Sequence, residues 1–190
     1  MKKTVMATAM VVLLFGVSLD GGDCPAENKI EKMSTTMASF VAVSPLDFSQ
    51  INSAGASMKK DGTKLYVCLS NMPGLTIGQL ANDFVLPIKK KDEFIAQIVF
   101  SMDKLNKIKE GDYSPTAGYG KPFWVFAEVK VHKGEKGAVV SLGIREGSAR
   151  IIKITEDRVC GTFDLRSKTG SNLKSEIKGT FNLKYEIARW

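Results

Sequence analysis

Few side chains in this 190-residue chain are of a type and spacing to do chemistry. There is one histidine, His132, standing beside Lys133. A catalytic histidine must be held between a nucleophile and an orienting acid, and the residues around His132 supply neither. It reads as a surface residue at a strand end. The three cysteines, Cys24, Cys68 and Cys160, are too far apart to form the close ligand pairs of a zinc site. The stretch "GYGKP" at 118–122 lacks the spacing and following helix of a phosphate-binding loop. No catalytic residue, metal or cofactor is expected.

Carboxylates remain. A glycoside hydrolase needs two, usually contributed by distant parts of the chain. Asp47, Asp112 and Glu128 are the residues of interest, and none has a visible partner in the sequence. The adjacent pairs Asp92-Glu93 and Glu156-Asp157 fall at strand starts or turns and read as solubilising residues. A weak carboxylate-dependent hydrolase is thus an alternative reading, behind a non-enzymatic one.

The chain opens "MKKTVMATAMVVLLFGVSLDGGDC". Two lysines, an apolar run from Val5 to Val17 and then small residues form the three-part layout of a bacterial secretory signal. The apolar run is short for a membrane span and has no polar face. Residues 1–22 are therefore read as a signal peptide with cleavage between Ser18 and Gly22, and the protein as periplasmic, cell-surface or secreted. Cys24 is a candidate lipidation site, although Gly21 and Asp23 stand where a lipoprotein signal has Leu and a small residue.

Export places the thiols in an oxidising compartment. In "LYVCLS" the residues Leu65, Val67 and Leu69 mark the core face, which turns Cys68 outward. Val159, Phe163 and Leu165 do the same for Cys160 in "RVCGTFDL". A Cys68–Cys160 cross-strand disulfide follows if those two strands are neighbours. Two separate half-buried thiols are the alternative.

The elements that would position these groups are short strands. After a polar linker at 23–37, nine candidates recur about every ten residues: 39–44, 51–58, 63–70, 93–102, 122–131, 137–144, 149–155, 158–165 and 176–187. Turn residues such as the Asp61-Gly62 pair separate them. Near-helical spacing of Leu75, Ile77, Leu80, Ala81, Phe84 and Val85 predicts one short helix near 75–85. The expected fold is all-β, an antiparallel β-sandwich of about eight or nine strands over residues 38–190.

The phrase Gly-Thr-Phe-Asp/Asn-Leu occurs at 161–165 and again at 179–183. A hairpin centred on Ser171, with paired numbers summing to 342, sets Phe163 opposite Gly179 and Phe181 opposite Gly161. Each bare glycine is then covered by the ring across from it. The repeat is read as structural.

The run from Ala149 to Gly170 with its second "GTFNL", the stretch "INSAGASMKKDGTKLYVCLSN" and the loop "KEGDY" together resemble small exported bacterial β-sandwich proteins, many of them lipoprotein-like domains without assigned function. The resemblance implies the fold and export, and it carries no catalytic residue with it.

The full chain has a formal charge of +7, and Lys2, Lys3 and Asp20 account for a net +1 before residue 23, leaving about +6. Such a surface favours anionic neighbours. The lysine clusters at 89–93, 130–136 and 174–178 are mixed with acids and read as solvated faces, so no specific nucleic-acid binding is expected. The leading reading is a non-enzymatic cell-envelope or secreted protein with a binding or structural role. Its partner is left open, with an anionic envelope surface or a glycan as the chemistry of interest. The long loop 109–122, rich in Gly, Pro and Tyr, offers Tyr113, Tyr119, Phe123 and Trp124 as ligand contacts. A small outer-membrane barrel is the other alternative, suggested by the terminal Trp190, although 8% aromatic residues is thin for two membrane girdles.

Overall fold

The structure, a computed structural model, describes residues 22–36, 47–81, 88–133, 136–170 and 174–188. Residues 1–21, most of the expected signal peptide, and the strand expected at 39–44 lie outside the described residues. The described residues form ten strands: β1 (Lys29–Thr35), β2 (Ser53–Met58), β3 (Lys64–Ser70), β4 (Phe94–Ser101), β5 (Gly111–Tyr113), β6 (Trp124–Lys133), β7 (Lys136–Ser141), β8 (Glu146–Ile154), β9 (Arg158–Arg166) and β10 (Ser175–Ile187). One short helix, α1 (Ile77–Ala81), falls within the expected stretch, and 82–87 lie outside the described residues. None of the described helices is long and apolar enough to cross a membrane.

Strands neighbour one another in the order β5-β8-β9-β10-β2-β3-β4-β6-β7. The β9–β10 hairpin has the register read from the sequence: Phe163 pairs with Gly179, Phe181 with Gly161, and Val159 with Leu183. On its other edge β10 carries two partners in succession. β1 lies antiparallel along Ser175–Thr180, and β2 runs parallel beside Tyr185–Ile187.

A second parallel contact nearly closes the sheet into a barrel. Ser114, just after β5, bridges Trp124 at the start of β6. Its N–H donates to the Phe123 carbonyl at 2.8 Å, and the Val125 N–H donates to the Ser114 carbonyl at 3.4 Å. The sheet is therefore mixed, and the expectation of antiparallel pairing throughout is corrected at these two seams. Period-two patterning reports which face a residue occupies and is silent on the direction of the neighbouring strand.

Two further corrections concern segments read as irregular. The polar linker at 23–37 contains β1. Its burial is confined to Ile30, so no alternating apolar signal exists, and main-chain pairing to β10 holds it. The loop at 109–122 contains β5, which is only three residues long.

Inward-facing Val67, Ile98, Phe100, Val129, Phe163 and Phe181 are fully or almost fully buried and form one continuous core. Phe100 meets Tyr113 edge-on at 5.1 Å and Phe181 at 5.8 Å between ring centroids. Outward residues of β8, β9 and β10 include Arg150, Asp164, Lys178 and Lys184, all exposed. An apolar interior with a charged exterior is the reverse of the lipid-facing pattern of an outer-membrane barrel. β4 is buried on both faces because Met72, Leu80, Ala81 and Ile88 pack over Cys68 and Ile95 on the outside, forming a second, smaller core.

Candidate functional site

Three connections meet where β2, β4 and β10 end and β3 and β6 begin. The first is the turn Lys59–Thr63. Gly62 adopts φ 72°, a left-handed conformation that suits glycine, and its N–H donates to the Lys59 carbonyl at 2.7 Å. The Asp61 carboxylate accepts from Lys59 Nζ at 2.8 Å, Thr63 Oγ1 at 2.7 Å and Thr63 N–H at 3.0 Å. The Lys59 ammonium and then the Thr63 groups hold the Asp61 carboxyl well below the usual carboxylate range.

The second connection, 102–110, is bolted to the first. Met102 N–H donates to the Thr63 carbonyl at 2.8 Å and Ile108 N–H to the Gly62 carbonyl at 2.7 Å. Asp103 accepts from the Leu105 N–H at 3.0 Å and from Asn106 Nδ2 at 2.7 Å, which closes a tight turn at its tip. Ile108 is buried as the anchor of this loop, and Leu105 at its tip is left in solvent.

The third connection, 115–123, returns from β5 to β6. Ser114 Oγ caps a short 3-10 turn at Pro115–Ala117, and Gly118 and Gly120 take positive φ on either side of Tyr119. The exposed Tyr119 ring stands edge-on to Trp124 at 5.4 Å, and Trp124 packs on Phe126 at 4.8 Å. Lys64 Nζ lies 5.7 Å from the Tyr119 ring centre, within cation–π reach.

Together these connections enclose an open groove of about 660 Å³, lined by Lys59, Lys64, Met102, Lys104, Leu105 and Tyr119 among others. Its chemistry is apolar at the rim and cationic at the sides. Asp61 and Asp103 also border it, but both carboxylates are occupied within their own turns.

Of the four aromatic residues expected to bind, Tyr119 alone lines this groove. Tyr113 is a correction: it is wholly buried, because β5 points it into the barrel. Its hydroxyl donates to the Lys109 carbonyl at 2.9 Å, and burial pushes its phenol pKa up. Phe123 packs against the core with its ring 5.3 Å from Tyr113, at φ 56°, and Trp124 supports Tyr119 from beneath. Sequence reading missed Leu105, Lys59, Lys64 and Lys104. The available signal was the lone apolar Leu105 in the polar run "DKLNK".

The cysteine pairing is also corrected. Cys160 is bonded to Cys24, with 5.6 Å between their Cα atoms, and Cys68 is buried outside any disulfide, its Sγ accepting from Gln97 Nε2 at 3.5 Å. β3 and β9 cannot bridge because β10 and β2 lie between them. Cys24 reaches Cys160 because the arm before β1 is tied down over β10. Asn182 Nδ2 donates to the Pro25 carbonyl at 3.0 Å, and Asn28 Oδ1 accepts from the Asn182 N–H at 2.7 Å. A sulfur in a disulfide cannot also carry a thioether lipid, so the Cys24–Cys160 bridge and lipidation of Cys24 are mutually exclusive in one molecule.

The other reactive groups do not converge. Asp47 is engaged by the Ser49 hydroxyl and amide, which lower its pKa, Asp112 is exposed on β5, and Glu128 is half-buried on β6. His132 is half-buried near the end of β6, and its Nδ1 has no hydrogen-bond partner among the described residues. No group of three or more His, Cys, Asp or Glu among the described residues could hold a metal. A second groove of about 490 Å³ at the opposite end is rich in hydroxyls, but these are spent locally. Ser175 Oγ bonds Thr35 Oγ1 at 2.7 Å, Ser167 Oγ accepts from the Ser175 N–H, and Thr36 Oγ1 from the Lys174 N–H.

Comparison with known proteins returned no matching family model, no matching curated protein and no matching solved structure.

Proposed function

We propose that the chain is an exported, non-enzymatic binding module of the bacterial cell envelope, a barrel-like variant of the small β-sandwich proteins its sequence resembles, and that the groove around Tyr119 is its working surface. The single observation carrying this reading is the display of Leu105 and Tyr119. Both are apolar, both are held out in solvent by turns whose polar groups are internally bonded, and lysines flank both. Exposed apolar groups gathered on one groove and rimmed by polar residues, unlike ones scattered singly, are a mark of interaction sites. The lysines select an anionic partner, an envelope surface or a glycan. The signal-like N-terminus and the Cys24–Cys160 bridge both suit an oxidising compartment.

Retention of the protein on immobilised anionic polysaccharide and on anionic vesicles, against neutral forms of each, tests the reading. Binding to at least one anionic form, weakened by both Tyr119→Ala and Lys64→Glu, is expected. Failure to bind any of them, or binding indifferent to both substitutions, overturns it.

A further inference from the structure

We infer that the groove end of the barrel docks on an anionic lipid bilayer, with Leu105 and Tyr119 entering the headgroup layer. The inference rests on the binding-module reading and names the partner of the same surface.

Four large apolar side chains are exposed among the described residues: Leu105 at 94%, Tyr119 at 78%, Ile187 at 53% and Val139 at 41%. Three of them belong to one end of the barrel. Leu105 and Tyr119 rim the groove, and Ile187 ends β10 beside Met58 of β2, whose following residues form the groove's first turn. A leucine this exposed at the tip of a rigid turn gains nothing from the fold. Lipid acyl chains would reward it, and an aromatic ring with a polar edge suits the interface itself.

The charge around these residues matches. The three segments of the groove, 59–64, 102–112 and 118–121, carry seven lysines against four acids. Three of those acids are engaged: Asp61 by Lys59 and Thr63, Asp103 by its own turn, and Glu110 by the Ile154 N–H at 3.0 Å. Lys104 and Lys107 bracket Leu105 directly, so insertion of the leucine brings two ammonium groups to phosphate level. The β8–β9 turn at the same end bears Glu156 and Asp157, which makes the docking face the groove side. A glycan would use the lysines but has no acyl phase to take up Leu105. That difference favours the bilayer.

The test is sedimentation of protein beginning at Gly22, which carries all ten strands and both bonded cysteines, with vesicles of phosphatidylglycerol and phosphatidylethanolamine. Binding should exceed that to phosphatidylcholine vesicles and fall as salt is raised. Leu105→Ser, at a site with no packing to lose, should weaken it by about fivefold or more. The double variant Lys104→Glu/Lys107→Glu should weaken it by at least about twentyfold, at roughly fivefold per lysine removed. The charge-matched control Lys90→Glu/Lys91→Glu, at the opposite end before β4, should stay within about twofold. Equal losses in the two double variants, or no effect of Leu105→Ser, would reduce the binding to unspecific charge attraction and overturn the inference. If anionic vesicles are not bound but anionic polysaccharide still is, bilayer docking fails and the binding-module reading survives. If neither is bound, both fall.

Discussion

The ring of Phe163 lies over Gly179, its Cζ 2.6 Å from where a Cβ on that glycine would stand, and Phe181 covers Gly161 at the same 2.6 Å. The other neighbour of each glycine is a main-chain carbonyl, that of Lys29 for Gly179 and that of Arg150 for Gly161. Both carbonyls adjoin irregularities in pairing, between Ile30 and Lys32 in β1 and between Ile151 and Lys153 in β8. The duplicated phrase is therefore one packing solution used twice. A bare glycine receives a ring from one flanking strand and an inward-pushed carbonyl from the other.

Phe163→Ala should lower stability by about 3–5 kcal/mol, the usual cost of emptying a buried phenylalanine site. Gly179→Ala should also destabilise, and it should still do so in the Phe163→Ala background, because the Lys29 carbonyl remains in the way of the new methyl. Urea unfolding with unchanged m-value measures both. A neutral Gly179→Ala would remove this account of the repeat.

The hairpin was legible because it rests on local facts: alternating apolar residues, and glycines and phenylalanines at matching offsets about one centre. β1 was not legible, since Ile30 is its one buried side chain and its hold on β10 is through the main chain. The groove was illegible for a different reason. Lys59, Leu105 and Tyr119 come from three connections, and only the register of β2, β3, β4 and β6 brings those connections to one end. Tyr113 and Tyr119 looked alike in a Gly-rich loop, yet three residues of strand pairing with β8 turn the first inward. The cysteines were misassigned because face can be read from the sequence, whereas adjacency requires the strand order.

Peptide mapping without reduction should yield one linked pair, Cys24 with Cys160, and a Cys68 thiol that alkylates only after unfolding. Reducing the bridge should cost about 2–4 kcal/mol. A diacylglyceryl group on Cys24, or a Cys68–Cys160 link, would contradict the arrangement.

Stability should fall in acid. Asp61 is held low by Lys59 and Thr63, Glu146 by the Thr169 amide and hydroxyl and then Arg166, and Glu176 by Lys32 and Ser34. Each folded pKa lies below the unfolded one, so the contribution is complete above about pH 4–4.5 and is lost as pH drops through the folded values. All three carboxylates are solvent-facing, which keeps the effect small and sensitive to salt. Melting temperature should be flat from neutrality to about pH 5 and decline below about pH 4. Asp61→Asn should lower it at neutral pH and shallow the acid decline. An acid decline no shallower in Asp61→Asn than in the wild type would deny Asp61 this role.

The central claim, that the Tyr119 groove is the surface through which this protein meets the envelope, is tested most directly by a photo-reactive phenylalanine analogue at position 119, with one at Asp164 as comparison. Asp164 is exposed on β9, outside the groove. Illumination of expressing cells should attach an envelope component at position 119 in several-fold excess over position 164. Equal attachment at the two positions, or attachment at 164 alone, would contradict the account.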